Sequence, residues 1–142
     1  MILFDVNVLV YAHREDAKNH AAYRNWLEDQ VNGDGAFALS QLVLSGFLRI
    51  VTNPRVFRIP TPMDKALLFT RALMERENCA LVSPGPRHWD IFTSFCGNLD
   101  LKGNLIPDAY FAALAIESGC TWATTDGDYA RFPSLSRIHP LG

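Results

Sequence analysis

The sequence has no apolar run near the roughly 18 residues that a membrane-spanning helix needs. It opens on Met1-Ile2-Leu3-Phe4-Asp5, without the cationic lead and long apolar stretch of a secretory leader. A cytoplasmic location is the expectation. Cysteine is scarce: Cys79, Cys96 and Cys120 form no CxxC pair and no Cys/His pair at zinc spacing. That argues against a disulfide framework or a structural zinc site, and the thiols read as reduced, mostly core residues. Positive charge is not in excess either. The 13 Lys and Arg stand against 15 Asp and Glu, a net charge of −2. An overall cationic nucleic-acid binder is excluded, whereas a local basic face is not. Internal repeats, low-complexity segments and activated Ser or Cys motifs are also missing.

What remains is the composition of an ordinary folded chain. With 142 residues, 49% of them hydrophobic and 20% charged, it can bury a core without staples and reads as one domain over residues 1–142. Short apolar runs at Ile2–Phe4, Phe37–Leu39, Ala80–Val82 and Thr121–Thr124 predict strands, with Arg137-Ile138 as a short fifth. Helical spacing predicts helices over His20–Val31, from an N-cap at Ser40 to Thr52, over Pro62–Met74 and over Arg87–Phe95. A further helix is expected to open at Pro107 and close at Gly119. Between those ends, Ala109–Ile116 is apolar all round apart from the Tyr110 hydroxyl, so this helix is expected to pack on several sides. Trp26, Trp89 and Trp122 lie in apolar patterns and read as core or interface. Strands alternating with helices predict an α/β three-layer sandwich around a short parallel sheet of four to five strands.

In such sheets ligands bind beyond the carboxyl ends of the strands. Asp5 follows the first strand, Asp126 and Asp128 follow the fourth, and Asp108 falls in the first turn of the apolar helix. If these places face one cleft, three or four carboxylates converge there. Clustered carboxylates repel unless protons or a cation hold them together. An oxygen-only donor set suits Mg²⁺ or Mn²⁺, which lower the pKa of a bound water and screen charge on a reacting phosphate. Each acid also has a plainer reading: Asp5 as a cap of a helix starting near Asn7 or Val8, Asp108 as a dipole-favoured acid, Asp126-Gly127-Asp128 as a turn. Their joint placement favours metal-assisted phosphodiester hydrolysis.

Four blocks resemble one family, in order along nearly the whole chain. Phe4-Asp5-Val6-Asn7-Val8-Leu9-Val10-Tyr11-Ala12 resembles the opening of PIN-domain nucleases. Leu48 to Phe57, Pro107-Asp108-Ala109 with Ala112–Ala115, and Thr124-Thr125-Asp126-Gly127-Asp128-Tyr129 with Arg131-Phe132 resemble the VapC toxins of VapBC toxin–antitoxin pairs. The resemblance implies a Mg²⁺- or Mn²⁺-dependent endoribonuclease that cuts tRNA or rRNA, a VapB antitoxin that restrains it, and a homodimer. It further implies that Asp5 and Asp108 are metal ligands, that Asp126 with Asp128 completes the acidic site, and that Asn7 and Asn104 are supporting polar residues. An antitoxin tail would lie in a groove such as the one expected around Tyr23, Trp26 and Leu27.

One departure stands out. The family usually places a glutamate within the Ser40–Thr52 helix, where this chain has Ser45-Gly46-Phe47. Gly46 supplies no ligand and costs about 1 kcal/mol in a helix relative to alanine. Gly46 therefore keeps open a catalytically impaired module that binds RNA or protein. An aspartate-nucleophile phosphatase is the other alternative, but it would want a second acid where Asn7 stands. No acid occurs between Asp34 and Asp64, whereas Arg49, Arg55 and Arg58 do. This strip suits phosphate contact, with a solvated face or pairing to Glu75 and Glu77 as alternatives. His13 reads as a surface or capping residue.

Overall fold

The computed structural model describes residues 1–142. Five strands, β1 (Ile2–Phe4), β2 (Phe37–Leu39), β3 (Cys79–Leu81), β4 (Thr121–Ala123) and β5 (Arg137–Ile138), form one sheet in the order β3-β2-β1-β4-β5. Every pairing is parallel, with Leu3 opposite both Ala38 and Trp122. Six helices connect them: α1 (Val6–His13), α2 (His20–Asn32), α3 (Gln41–Val51), α4 (Met63–Met74), α5 (His88–Asn98) and α6 (Leu105–Ser118). The chain steps outward one way through β1, β2 and β3, then returns past β1 to β4. With right-handed crossovers, that reversal puts α1–α4 on one face and α5–α6 on the other, giving the three layers.

The three-residue strands survive because they are buried rather than long. Leu3, Phe4, Ala38, Leu39, Trp122 and Ala123 are wholly enclosed within a core cluster of 26 residues. Small residues Ala109, Ala112, Ala113 and Ala115, all fully buried, let α6 lie close to the sheet. Gly119 ends α6 in the left-handed region at φ 69°, a conformation that glycine adopts without Cβ strain. The Glu117 carboxylate accepts from the Gly85 and Arg87 N–H groups at 2.7 and 2.8 Å, tying the start of α5 to α6.

Several expected boundaries shift. The helix expected from Pro107 begins two residues earlier, at Leu105, because the first helical N–H groups need no acceptor and proline is tolerated throughout the first turn. β3 starts at Cys79, one residue early, and α5 runs on to Asn98. Ser40 caps α3 as expected, its Oγ accepting from Leu42 N–H at 3.2 Å. Trp122 is wholly buried and Trp26 packs edge-on against Phe4, but Trp89 is 64% exposed on α5. It sits one residue past His88, whose ring takes the inward position against the Tyr110 carbonyl. Cys120 is buried, whereas Cys79 and Cys96 are half-buried. No helix is long and apolar enough to cross a membrane.

Candidate active site

The strand order turns back at β1, so the crevice expected of an open parallel sheet lies beyond the carboxyl ends of β1 and β4. Asp5 leaves β1 at that edge. Its N–H donates to the Ala123 carbonyl at 2.9 Å, which holds it in register with the end of β4. Its Oδ1 accepts from the Val6 N–H at 2.7 Å, making Asp5 the N-cap of α1, which starts at Val6. Oδ2 accepts from the Thr124 hydroxyl at 2.6 Å. The capping reading of Asp5 therefore holds, and it leaves each carboxylate oxygen a second lone pair. Asp5 is 6% exposed. Burial, aided by the charges of Asp108 and Asp126 and opposed by the Thr124 and Val6 hydrogen bonds, raises its pKa to about 6.

Asp126 is coupled to Asp5 through one hydroxyl. The Asp126 N–H donates to Thr124 Oγ1 at 3.0 Å, the same oxygen whose proton goes to Asp5. Its own Oδ1 accepts from the Asp128 N–H at 2.9 Å and caps a 3-10 turn over Gly127–Arg131. Asp108 approaches from the first turn of α6, where the helix dipole favours an acid. The buried Tyr129 hydroxyl donates to Asp108 Oδ1 at 3.3 Å. Burial raises the Asp108 pKa, Asp126 and Asp128 add to the rise, and Tyr129 and Arg131 oppose it. The Tyr129 hydroxyl is itself pushed far up, by burial and then by the surrounding acids, so it stays a donor.

The other expected residues are less central. Asp128 lies exposed on the rim and pairs with Arg131 at 3.6 Å. Asn7 Oδ1 reaches the Thr125 N–H at a long 3.5 Å, across the β1–β4 seam. Asn104 is exposed at the N-cap of α6, and its side chain makes no capping hydrogen bond. Arg49, Arg55 and Arg58 are exposed and take part in none of the four salt bridges, so pairing with Glu75 or Glu77 is not observed. His13 is structural: its Nε2 meets Thr61 Oγ1 at 3.1 Å between Phe47 and Phe69, and burial lowers its pKa. Tyr23 and Leu27 are mostly buried, and each lines the wall of a cleft along α2, Tyr23 beside Tyr11 and His139 and Leu27 beside Phe69 and Leu73. Thr124 and Tyr129 are the two site residues whose roles the sequence alone did not disclose.

Gly46 now has a packing reason. A Cβ there would come within 3.0 Å of Val6 Cγ2, so α3 closes onto α1 beside Asp5 at the place a larger residue would enter. No three His, Cys, Asp or Glu side chains stand close enough to share an ion as they lie. The donor set nevertheless fits a hard divalent cation. It is all oxygen, neighbouring acid charges raise the pKa of Asp5 and of Asp108, and Mg²⁺ characteristically takes one or two carboxylates and keeps several waters.

An all-parallel sheet flanked by helices, with one buried and two half-buried acids gathered at its carboxyl edge, defines an α/β protein with an acidic centre suited to phosphodiester chemistry. Known proteins place it more narrowly. The PIN domain family model matches residues 2–135. The chain is 45% identical over 141 residues to ribonuclease VapC43 of Mycobacterium tuberculosis, covering 99% of this chain and 96% of that one. It is 41% identical to ribonuclease VapC25 of the same species, over 99% of each. Among solved structures, VapBC2 from Rickettsia felis, bound to a DNA fragment from its promoter, superposes with a TM-score of 0.71 at 20% identity, covering 97% of this chain and 98% of that one. VapC20 of M. tuberculosis, a sarcin-ricin loop cleaving toxin, superposes with a TM-score of 0.67 at 13% identity, covering 95% and 98%. The chain belongs to the PIN-domain family, among its VapC ribonucleases.

Proposed function

We propose that the protein is a Mg²⁺- or Mn²⁺-dependent endoribonuclease toxin that hydrolyses phosphodiester bonds in cellular RNA, of the tRNA or rRNA class, and is restrained by a VapB-type antitoxin. The observation that carries the reading is the convergence of Asp5, Asp108 and Asp126 at one sheet edge, where Asp108 and Asp126 bear on the charge of Asp5 and Asp126 bears on that of Asp108. Asp5 and Asp108 would hold the ion, with Asp126 and, behind it, Asp128 orienting the attacking water. A bound ion supplies a water of lowered pKa and screens the charge that grows on the phosphate. Thr124 fixes Oδ2 of Asp5, and Tyr129 orients Asp108. Arg49, Arg55 and Arg58 would meet phosphates, which gives affinity without sequence reading.

VapBC complexes among the structural neighbours support the antitoxin, as do exposed apolar residues Ile59, Met63 and Leu68 on and before α4. A homodimer and a cytoplasmic location complete the proposal. Gly46 favours one other reading, a PIN fold that grips RNA without cutting it. Purified, antitoxin-free protein incubated with total RNA in Mg²⁺, Mn²⁺ or EDTA separates the two. Discrete fragments that need the metal and vanish with Asp5→Ala are expected. Intact RNA in every lane, from folded protein, would make it the binding module.

A further inference from the structure

Beside the acidic edge lies a cavity of about 430 Å³ whose walls include Tyr11, Lys18, Tyr23, Phe57, Thr125 and His139. It adjoins the site through Thr125, the residue that precedes Asp126 and whose N–H faces Asn7. Its character differs from the acidic edge. Three aromatic rings and two basic side chains line it, and no acid does. Tyr11 and Tyr23 meet at 5.2 Å between centroids, and His139 stands 6.4 Å from Tyr23. Lys18 is exposed and in none of the four salt bridges. His139 Nδ1 accepts from the Leu141 N–H at 3.1 Å, which leaves Nε2 to donate outward.

Two further features indicate a built wall. Phe57 lies between Arg55 and Arg58 on the loop that follows α3, and Arg14 clamps that loop. The Arg14 guanidinium stands 4.1 Å from the centre of the Phe57 ring. It donates to the Ile59 carbonyl at 2.8 Å and to Thr61 Oγ1 at 3.2 Å, and it grips Asp16 through two bonds of 2.9 and 2.6 Å. Asn19, at the cavity's edge, is held in the left-handed region at φ 60°, and its side chain makes no hydrogen bond. Strained backbone of this kind gathers at ligand clamps, and a free amide can read the edge of a base. Two other clefts of similar size lack this combination. One, of about 460 Å³, is formed around the Arg14–Asp16 pair, and the other, of about 470 Å³, has no basic lining residue.

We infer that this cavity is a subsite for an unpaired nucleobase of single-stranded RNA, adjacent to the nucleotide whose phosphate reaches the acidic edge. Aromatic side chains stack bases irrespective of sequence, while Lys18 and His139 meet the flanking phosphates. The inference rests on the ribonuclease reading and names how its substrate is held. It also explains how a chain of net negative charge can hold RNA beside three carboxylates: the base supplies attraction where the phosphate supplies repulsion.

The test is binding in EDTA, so that no cleavage occurs. The probes are a fluorescein-labelled hexa-adenylate and a chain of six abasic ribose phosphates of equal charge, read by anisotropy. Base stacking is worth about tenfold or more in affinity, so the wild-type protein should prefer the hexa-adenylate by at least that factor. Phe57→Leu and Tyr11→Leu, which keep apolar volume and are checked for melting temperature, should cut the preference to below about threefold. Lys18→Ala should weaken both probes alike. Equal affinity for the two probes, no binding of either, or a preference that both leucine variants leave intact would overturn the inference. So would variants that lose grip on the antitoxin while keeping the base preference. Cleavage of total RNA is scored separately. A base preference in a protein that never cuts would sink the ribonuclease reading and leave the subsite standing, and cleavage without a base preference would do the reverse.

Discussion

The acidic edge and the arginine strip are opposites in more than charge. Asp5 comes from the opposite end of the chain to Asp108 and Asp126 and meets them only because β1 and β4 are neighbours in the sheet. Their side chains are wholly or partly buried and hydrogen-bonded, and the pKa values of Asp5 and Asp108 are raised. Arg49, Arg55 and Arg58 come from one stretch of ten residues, stand in solvent and pair with nothing. A site that must hold a cation and activate water needs desolvated, fixed charge, which only tertiary structure can build. A surface that holds a polyanion needs only exposed cations close together in sequence.

If that contrast is right, substitutions on the two sides should fail in different ways. The largest effect belongs to the acids. Asp108→Ala should lower RNA cleavage by at least about a hundredfold with little change in melting temperature, because relieved repulsion on the other acids offsets the lost bond from the Tyr129 hydroxyl. Loss of fold would return Asp108 to a structural part.

The strip should fail by affinity. The double change Arg55→Ala with Arg58→Ala should weaken RNA binding about tenfold at low salt. It should also flatten the dependence of log affinity on log salt by about 1.4, for two phosphates of a single strand. An unchanged salt slope would remove the strip from the RNA path.

Stability separates the two regions next. Asp5 ionises at about 6 in the fold, above its ordinary 3.8, so the folded state holds the proton more tightly than the unfolded one. The metal-free protein should therefore be most stable below about pH 4 with respect to this group, losing stability up to about pH 6 and then levelling off. At neutral pH the ionised acid costs on the order of 3 kcal/mol. Asp5→Asn keeps a capping side chain but disturbs one of the Thr124 or Val6 hydrogen bonds, worth about 1 kcal/mol. It should gain about 1–2 kcal/mol at pH 7 in EDTA and abolish that slope, as denaturant melts at pH 4 and pH 7 would show. A stability loss at pH 7 would mean that capping outweighs desolvation.

The smallest effect is Tyr129→Phe. Losing the bond to Asp108 should cost about 1 kcal/mol. With it goes a donor that favours the ionised acid, so the acid limb of the cleavage profile should move to higher pH. A profile that stays in place would mean the 3.3 Å contact does not bear on the chemistry.

The same contrast explains what could be read from the sequence. The order of strands and helices, the caps at Ser40 and Gly119, and the acids at strand ends all follow local rules, and the arginine strip is local by nature. Thr124 and Tyr129 obey no such rule. The partner of the Thr124 hydroxyl lies 119 residues away, and a tyrosine after an Asp-Gly-Asp turn gives no hint that its hydroxyl folds back to α6. An apolar pattern does not say which of two adjacent aromatic rings turns inward: His88 takes that position and Trp89 stands exposed, which leaves only the interface reading for Trp89. Gly46 looked like a missing ligand, but in three dimensions it is also the contact that lets α3 close on Val6.

The claim that the acidic edge gathers a cation is tested most directly by titrating Mn²⁺ into the wild-type protein, Asp5→Asn and Asp108→Asn by calorimetry. One saturable site in the wild type, lost in both variants while both remain folded, is the predicted result. Binding that persists unchanged in Asp108→Asn would contradict the account, because the two acids would then not serve one ion.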